Sequence, residues 1–329
     1  MKTKHTALAA QALFPNGLYQ PSGSFRFSVD ALLLASFIKG ESEHLMADFG
    51  AGCGVVGLAY LLKNPEAWCI GFESQGILVE AANLNAKGLD CGERYACVNL
   101  DLTCHGHTEC DFFERGVWKS TSVNTQLMLE NMPAETANGI QPFGAGETAS
   151  EKIREVTYMS PYRSSGMSPD EMTGENADKV AAKIRAMSLS RGGFDLVLSN
   201  PPYRLLGSGR LPRSELRQRA LFAPHGTVEK FCAAAHALLA SHGRLGLVFP
   251  AEREDWIRMT MSGSGFEVER VLRVHGREGK PATLILLEAR KRNNGNPPLE
   301  KAREEAPLVL YDQANRLTER AVRFCPYLG

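Results

Sequence analysis

The sequence predicts an α/β fold built on a doubly wound, mostly parallel, Rossmann-like sheet. Short apolar runs alternate with helical stretches from about residue 45 onward, the rhythm of strands joined by covering helices. The first run enters a glycine-rich turn, DFGAGCGVVG at 48–57, of the kind that opens a helix against a ligand. Acidic residues close the first three runs, at the sheet edge where such folds bind ligands.

Taken in order, HLMADFG reads as the first strand and GLAYLLKN as the helix after the turn. WCIGFE is a second strand, ILVEAANLNAKG a helix stopped by glycine, and YACVNLD a third strand. FDLVLSN supplies a fourth strand, VEKFCAAAHALLASHG another glycine-stopped helix, and GRLGLVFP a fifth strand. FEVERVLRVH and PATLILLEARK close the pattern as an antiparallel pair at the sheet edge. The whole chain, 1–329, reads as one domain, with 292–329 a C-terminal extension.

Residues 104–191 interrupt the rhythm. They are rich in Ser, Thr, Gly, Pro, Asn and Met, with poor apolar periodicity, and read as a polar, largely disordered surface insertion between the third and fourth strands. A helix is expected within it at 176–187. Lengthening a loop from about 15 to about 90 residues adds only about 1.5 kcal/mol of closure entropy, so the core tolerates it.

Composition excludes several classes. Lysine plus arginine and aspartate plus glutamate both number 37, so the formal charge is zero, and any nucleic-acid footprint must be local. No run reaches the roughly 20 apolar residues of a membrane span. The apolar stretch near the N-terminus is broken by Gln11 and lacks a cleavage pattern, which argues against a secretory signal. Cys53, Cys69, Cys97 and Cys232 sit in apolar or glycine contexts and read as buried thiols in a reducing cytoplasm. Cys104, His105, His107 and Cys110 cluster in a polar stretch. Zinc sites usually pair ligands from separated segments, so no metal is assigned.

The glycine turn admits two cofactors. Gly52, Gly54 and Gly57 spell the GxGxxG of dinucleotide binding, with Glu73 about twenty residues on. Read from Asp48 through Gly50, Gly52 and Gly54 it is D-x-G-x-G-x-G, the form used with S-adenosylmethionine (SAM). A carboxylate before the turn repels a pyrophosphate and suits a sulfonium and an ammonium, which favours SAM. Glu73 closes the second strand, placed for ribose hydroxyls, and Asp101 the third, placed for the adenine amine.

The fourth strand runs into Asn200-Pro201-Pro202-Tyr203. Two prolines stiffen the turn and remove two amide donors. A planar aromatic amine is a poor nucleophile because its lone pair is delocalised. Hydrogen bonds to the Asn200 side-chain oxygen and the Pro201 carbonyl would draw its nitrogen toward tetrahedral geometry, while Tyr203 stacks on the base. Beyond the turn stand Arg204, Arg210, Arg213, Arg217 and Arg219 against Glu215 alone, a local basic stretch suited to phosphates.

Together these residues resemble the class I amino-methyltransferases. More narrowly, the chain resembles the bacterial tRNA1(Val) adenine N6-methyltransferase family, also through FRFSVDALLLASF (25–37), RVHGREGKPATLILLEARK (273–291) and PLVLYDQANRLTERA (307–321). The resemblance implies SAM as donor, Asn200–Tyr203 as the catalytic turn, and Asp48, Gly50, Gly52, Gly54, Glu73 and Asp101 around the cofactor. It also implies a cap from 29–34 with Asp30 as a contact, a tRNA substrate and a cytoplasmic location. The long insertion departs from the short link expected after Asp101. Rival readings are a protein glutamine N-methyltransferase, a DNA adenine methyltransferase, an NAD-dependent oxidoreductase and a non-catalytic RNA-binding protein.

Overall fold

The computed structural model describes residues 9–24, 26–40, 45–103, 175–205, 221–224, 226–292 and 301–328, with single positions 214 and 218. Four strands, β1 (Leu45–Phe49), β2 (Trp68–Glu73), β3 (Tyr95–Asn99) and β4 (Phe194–Ser199), are joined in register and parallel in the order β3-β2-β1-β4. The first and last are buried at every position, which explains their unbroken apolar sequences. Phe49, Glu73, Asn99 and Ser199 all end at one edge, Phe49 beside Phe72 and Ser199, Glu73 beside Asn99. Strand order reverses between β1 and β4, and ligands bind at such a switch point.

Each face of the sheet carries helices. Met46 shares one core with α1 (Val29–Phe37), α2 (Val55–Lys63) and α3 (Gly76–Gly88). Leu45, Ala47 and Phe49 point the other way, into a second core with α4 (Glu175–Arg191), α5 (Thr227–Leu238) and α6 (Glu254–Gly263). The alternation is the two-residue period of a strand.

Two expectations are corrected here. Residues 175–191 are not part of a loose surface insertion: they form α4, whose Val180, Ala181 and Ile184 are buried against the sheet. The physical reason is topological, since the chain must cross from β3 to β4 and a helix there covers the second face. The expected helix at 176–187 is its central part. Residues 104–174, the rest of the proposed insertion, lie outside the described residues.

The closing strands also differ. The fifth strand, β7 (Leu239–Pro250), pairs antiparallel with β9 (Ala282–Lys291), which pairs antiparallel with β8 (Phe266–Arg277). This pair is not the edge of the sheet. The C-terminal extension adds β10 (Arg303–Glu304) and β11 (Leu308–Tyr311) to β8, covering backbone groups that would otherwise invite association. It then folds α7 (Glu319–Phe324) back so that Leu308, Ala321 and Cys325 join the first core. The two strands missing from this count, β5 (Arg204–Leu205) and β6 (Phe222–Ala223), make a separate pair beyond β4.

Candidate cofactor and substrate site

The glycine turn leaves β1 with Gly50, Gly52 and Gly54 all in the left-handed region, at φ of 69°, 57° and 89°. Gly54 needs glycine twice over: a Cβ there would also meet the Tyr95 hydroxyl at 2.9 Å. At Gly52 the space is open and the backbone angle alone makes the demand. The Gly50 and Ala51 amides both donate to the Phe72 carbonyl, at 2.9 and 3.1 Å, which holds the turn on the end of β2.

Asp48 lies elsewhere than the charge argument placed it. Its Oδ2 accepts from the Gly57 amide at 3.0 Å, in the first turn of α2, and the residue is 1% exposed. It shares the face of Met46, so its carboxylate sits beneath the turn and does not line the cavity above. Burial pushes its pKa up to about 7, with the Gly57 amide pulling it down and the Glu73 charge raising it further. Among the described residues its Oδ1 is buried without a hydrogen-bond partner.

Glu73 does reach the cavity. Its Oε2 accepts from the Gly52 amide at 2.9 Å, and its Oε1 from the Gln75 amide at 2.9 Å and the Ser74 hydroxyl at 3.4 Å. Burial raises its pKa while these donors lower it. A carboxylate has about four acceptor positions, and three are taken, so one on Oε2 stays open for a ribose hydroxyl. Asp101 follows β3 by two residues, is exposed, and accepts from the Thr103 amide and hydroxyl at 2.8 and 2.6 Å. It lines the same cavity.

The Asn200–Tyr203 turn forms the opposite wall. The Ser199 hydroxyl donates to the Phe49 carbonyl at 3.0 Å, locking the exit of β4 to that of β1. The Asn200 side chain makes no hydrogen bond with any described residue. Tyr203 is held on three sides: its hydroxyl donates to Asp30 Oδ2 at 3.4 Å, its ring meets Phe249 edge-on at 6.2 Å, and its carbonyl accepts from Arg253 Nη1 at 3.4 Å. Asp30, in the first turn of α1, is buried and off the cavity wall, where its carboxylate anchors Tyr203. Burial raises its pKa, opposed by hydrogen bonds from Ser28, its own backbone and Tyr203.

The cavity is about 380 Å³ and is lined jointly by Gly50, Gly52, Glu73, Asp101 and the four residues of the Asn200 turn. That volume is of small-molecule size. Phe72, Val56, Leu78 and Leu100 supply apolar walls at the Glu73 end. A buried hydroxyl acceptor between apolar walls and a side-chain-free glycine turn suits a nucleoside.

The remaining expectations divide. Arg204 begins β5 but its side chain is not among those described, and Arg210, Arg213, Arg217 and Arg219 lie outside the described residues. So do Cys104, His105, His107 and Cys110; among the described residues no cluster could hold a metal ion, and no helix is long and apolar enough to cross a membrane. All six described cysteines are free and buried. Phe27 and Ser28 before α1 and Phe231 of α5 line the cavity without having been singled out. No local motif marks them, because only the folded sheet edge brings them together.

No protein-family model matches the chain. A predicted O-methyltransferase from Agrobacterium tumefaciens aligns over 91% of this chain and 96% of its own, at 18% identity and a TM-score of 0.52. The fold is that of a class I methyltransferase. A TehB-like SAM-dependent methyltransferase from Corynebacterium glutamicum covers 89% of this chain and 98% of its own at 14% identity and a TM-score of 0.37. In sequence the chain is 32% identical, over 123 residues, to a tRNA1(Val) (adenine(37)-N6)-methyltransferase from Tolumonas auensis. That match spans 37% of this chain and 48% of the relative, about half its length.

Proposed function

We propose that the protein is a SAM-dependent N-methyltransferase acting on the exocyclic amine of a nucleobase, with adenine N6 in tRNA the substrate best supported. One observation carries the reading: a single cavity joins the Glu73 and Asp101 wall, fitted to a nucleoside, with the Asn200–Tyr203 turn. When bound, SAM would supply an electrophilic methyl group. The chain's own part is positioning and electrostatics. The uncommitted Asn200 side-chain oxygen and the Pro201 carbonyl accept the two amine hydrogens, concentrating the nitrogen lone pair. Tyr203, fixed on three sides, offers a preset ring for the base, worth about 1–3 kcal/mol by stacking.

The tRNA assignment draws on the partial likeness to the Tolumonas auensis enzyme and on the basic sequence from Arg204 to Arg219. A loop adenosine is already unpaired and largely spares the few kcal/mol of extrusion from a duplex. A cytoplasmic location follows from such a substrate. Calorimetry tests the cofactor: SAM or its demethylated product binds, NAD does not, and Glu73→Ala weakens SAM by about 1.5–3 kcal/mol. Heat from NAD with none from SAM would overturn the reading in favour of an oxidoreductase.

A further inference from the structure

Beside the catalytic turn lies an arginine that the proposed chemistry does not use. Arg253 stands between the end of β7 and α6, and its guanidinium carbon is 4.0 Å from the centre of the Trp256 ring and 5.3 Å from that of Phe249. The Trp256 and Phe249 rings stack at 5.6 Å and 25°, and Phe249 meets Tyr203 edge-on. The result is a continuous pile from Tyr203 through Phe249 and Trp256 to a cation. Both Arg253 and Trp256 are half-buried, so the pile ends at solvent.

The charge of Arg253 has no counter-charge among the described residues, unlike that of several arginines on α6, β7, β8 and β9. Arg258 and Arg273 meet Glu254, Arg244 and Arg270 meet Glu288, and Arg290 meets Glu267. Arg253 has no ion pair among the described residues; the exposed acids near it, Glu252 and Asp255, make none with it. Stacking occupies the face of the guanidinium and leaves its edge, where five N–H donors lie. One of these reaches the Tyr203 carbonyl at 3.4 Å. An ordered guanidinium with most of its donors unspent fits a phosphate in the two-pronged manner.

We propose that Arg253, ordered on Trp256, takes the phosphate next to the target base of a single-stranded RNA. This rests on the nucleobase reading above and adds to it a named contact that sets the register of the strand, so that the neighbouring base reaches Tyr203.

Binding of a short, adenine-containing single-stranded RNA is measured across a salt series for the wild type, Arg253→Ala and Arg253→Lys. Arg253→Ala is expected to lower affinity about ten-fold and to reduce the slope of log affinity against log salt by about 0.7, the value of one single-strand phosphate contact. Arg253→Lys keeps the charge without the planar fork, so it restores the slope but not the full affinity. Melting temperature and SAM affinity stay at wild-type values in both variants. An Arg253→Ala protein with wild-type affinity and slope would overturn the proposal. So would one that loses only turnover, since that marks Arg253 as a mere cap on the Tyr203 carbonyl. If the wild type binds SAM but no RNA, the nucleic-acid reading falls and this proposal with it. Failure of the reading thus shows in the wild type, and failure of the inference in the variants alone.

Discussion

Tyr203 shows how much a single side chain can be over-determined. In the proposed reaction its ring face alone serves the substrate, yet its hydroxyl is tied to Asp30 at 3.4 Å. Tyr203→Phe keeps the face and loses the anchor, so turnover should fall by less than about ten-fold, the scale of one weak hydrogen bond. Asn200→Ala should lower turnover by about 100- to 1,000-fold with SAM affinity unchanged, as for one oriented transition-state hydrogen bond. Steady-state kinetics on both variants checks the order; equal losses would show that Asn200 has no special part. Asp48 makes a different prediction. Its raised pKa means the unfolded chain ionises first, so a stability penalty builds as pH rises from about 4 to about 7 and is complete above that. Denaturation of Asp48→Asn across that range should show its stability gaining on the wild type with rising pH; parallel curves would remove the buried carboxylate from the account. Glu73 and Asn200 were legible in the sequence because strand ends mark the ligand edge. The direction of Asp48 was legible too, from its even spacing with Met46, but a charge argument about the ligand took precedence over strand parity.

At the scale of elements, α4 is where sequence and structure part. Val180, Ala181 and Ile184 carry the i, i+1, i+4 spacing of a buried helical stripe, but one turn and a half of apolar periodicity is faint beside the 71 residues of poor periodicity at 104–174. The parallel topology was the stronger signal, since β3 and β4 need a covered crossover. Ile184→Ala should therefore cost about 2–5 kcal/mol, the range for truncating a buried aliphatic side chain, measured by denaturant unfolding. A Gly/Ser linker in place of 104–174 should leave a cooperative thermal transition. The same linker replacing 104–191 should cost soluble protein; a stable product would mean that α4 is not part of the core. The closing strands teach a similar lesson. Their antiparallel pairing was readable, but the strands that cover β8 are only two and four residues long, too short for alternation to register.

Across the whole molecule, the sheet brings two separately weak motifs to one place. A glycine turn with a distant acid admits several nucleotides, and a proline turn after a strand can be only a turn. The reversal of strand order between β1 and β4 puts Glu73 and Asn200 on one cavity, and the proposed reaction rests on that juxtaposition. Arg253 was beyond the reach of sequence reading, because its place depends on the end of β7 standing beside the end of β4. The most direct test supplies the purified protein with SAM carrying a labelled methyl group and with tRNA, DNA and protein, then digests each for mass spectrometry. Label should appear as N6-methyladenosine in tRNA with the wild type and be absent with Asn200→Ala. Label in none of the three, from a protein that binds SAM, would contradict the account.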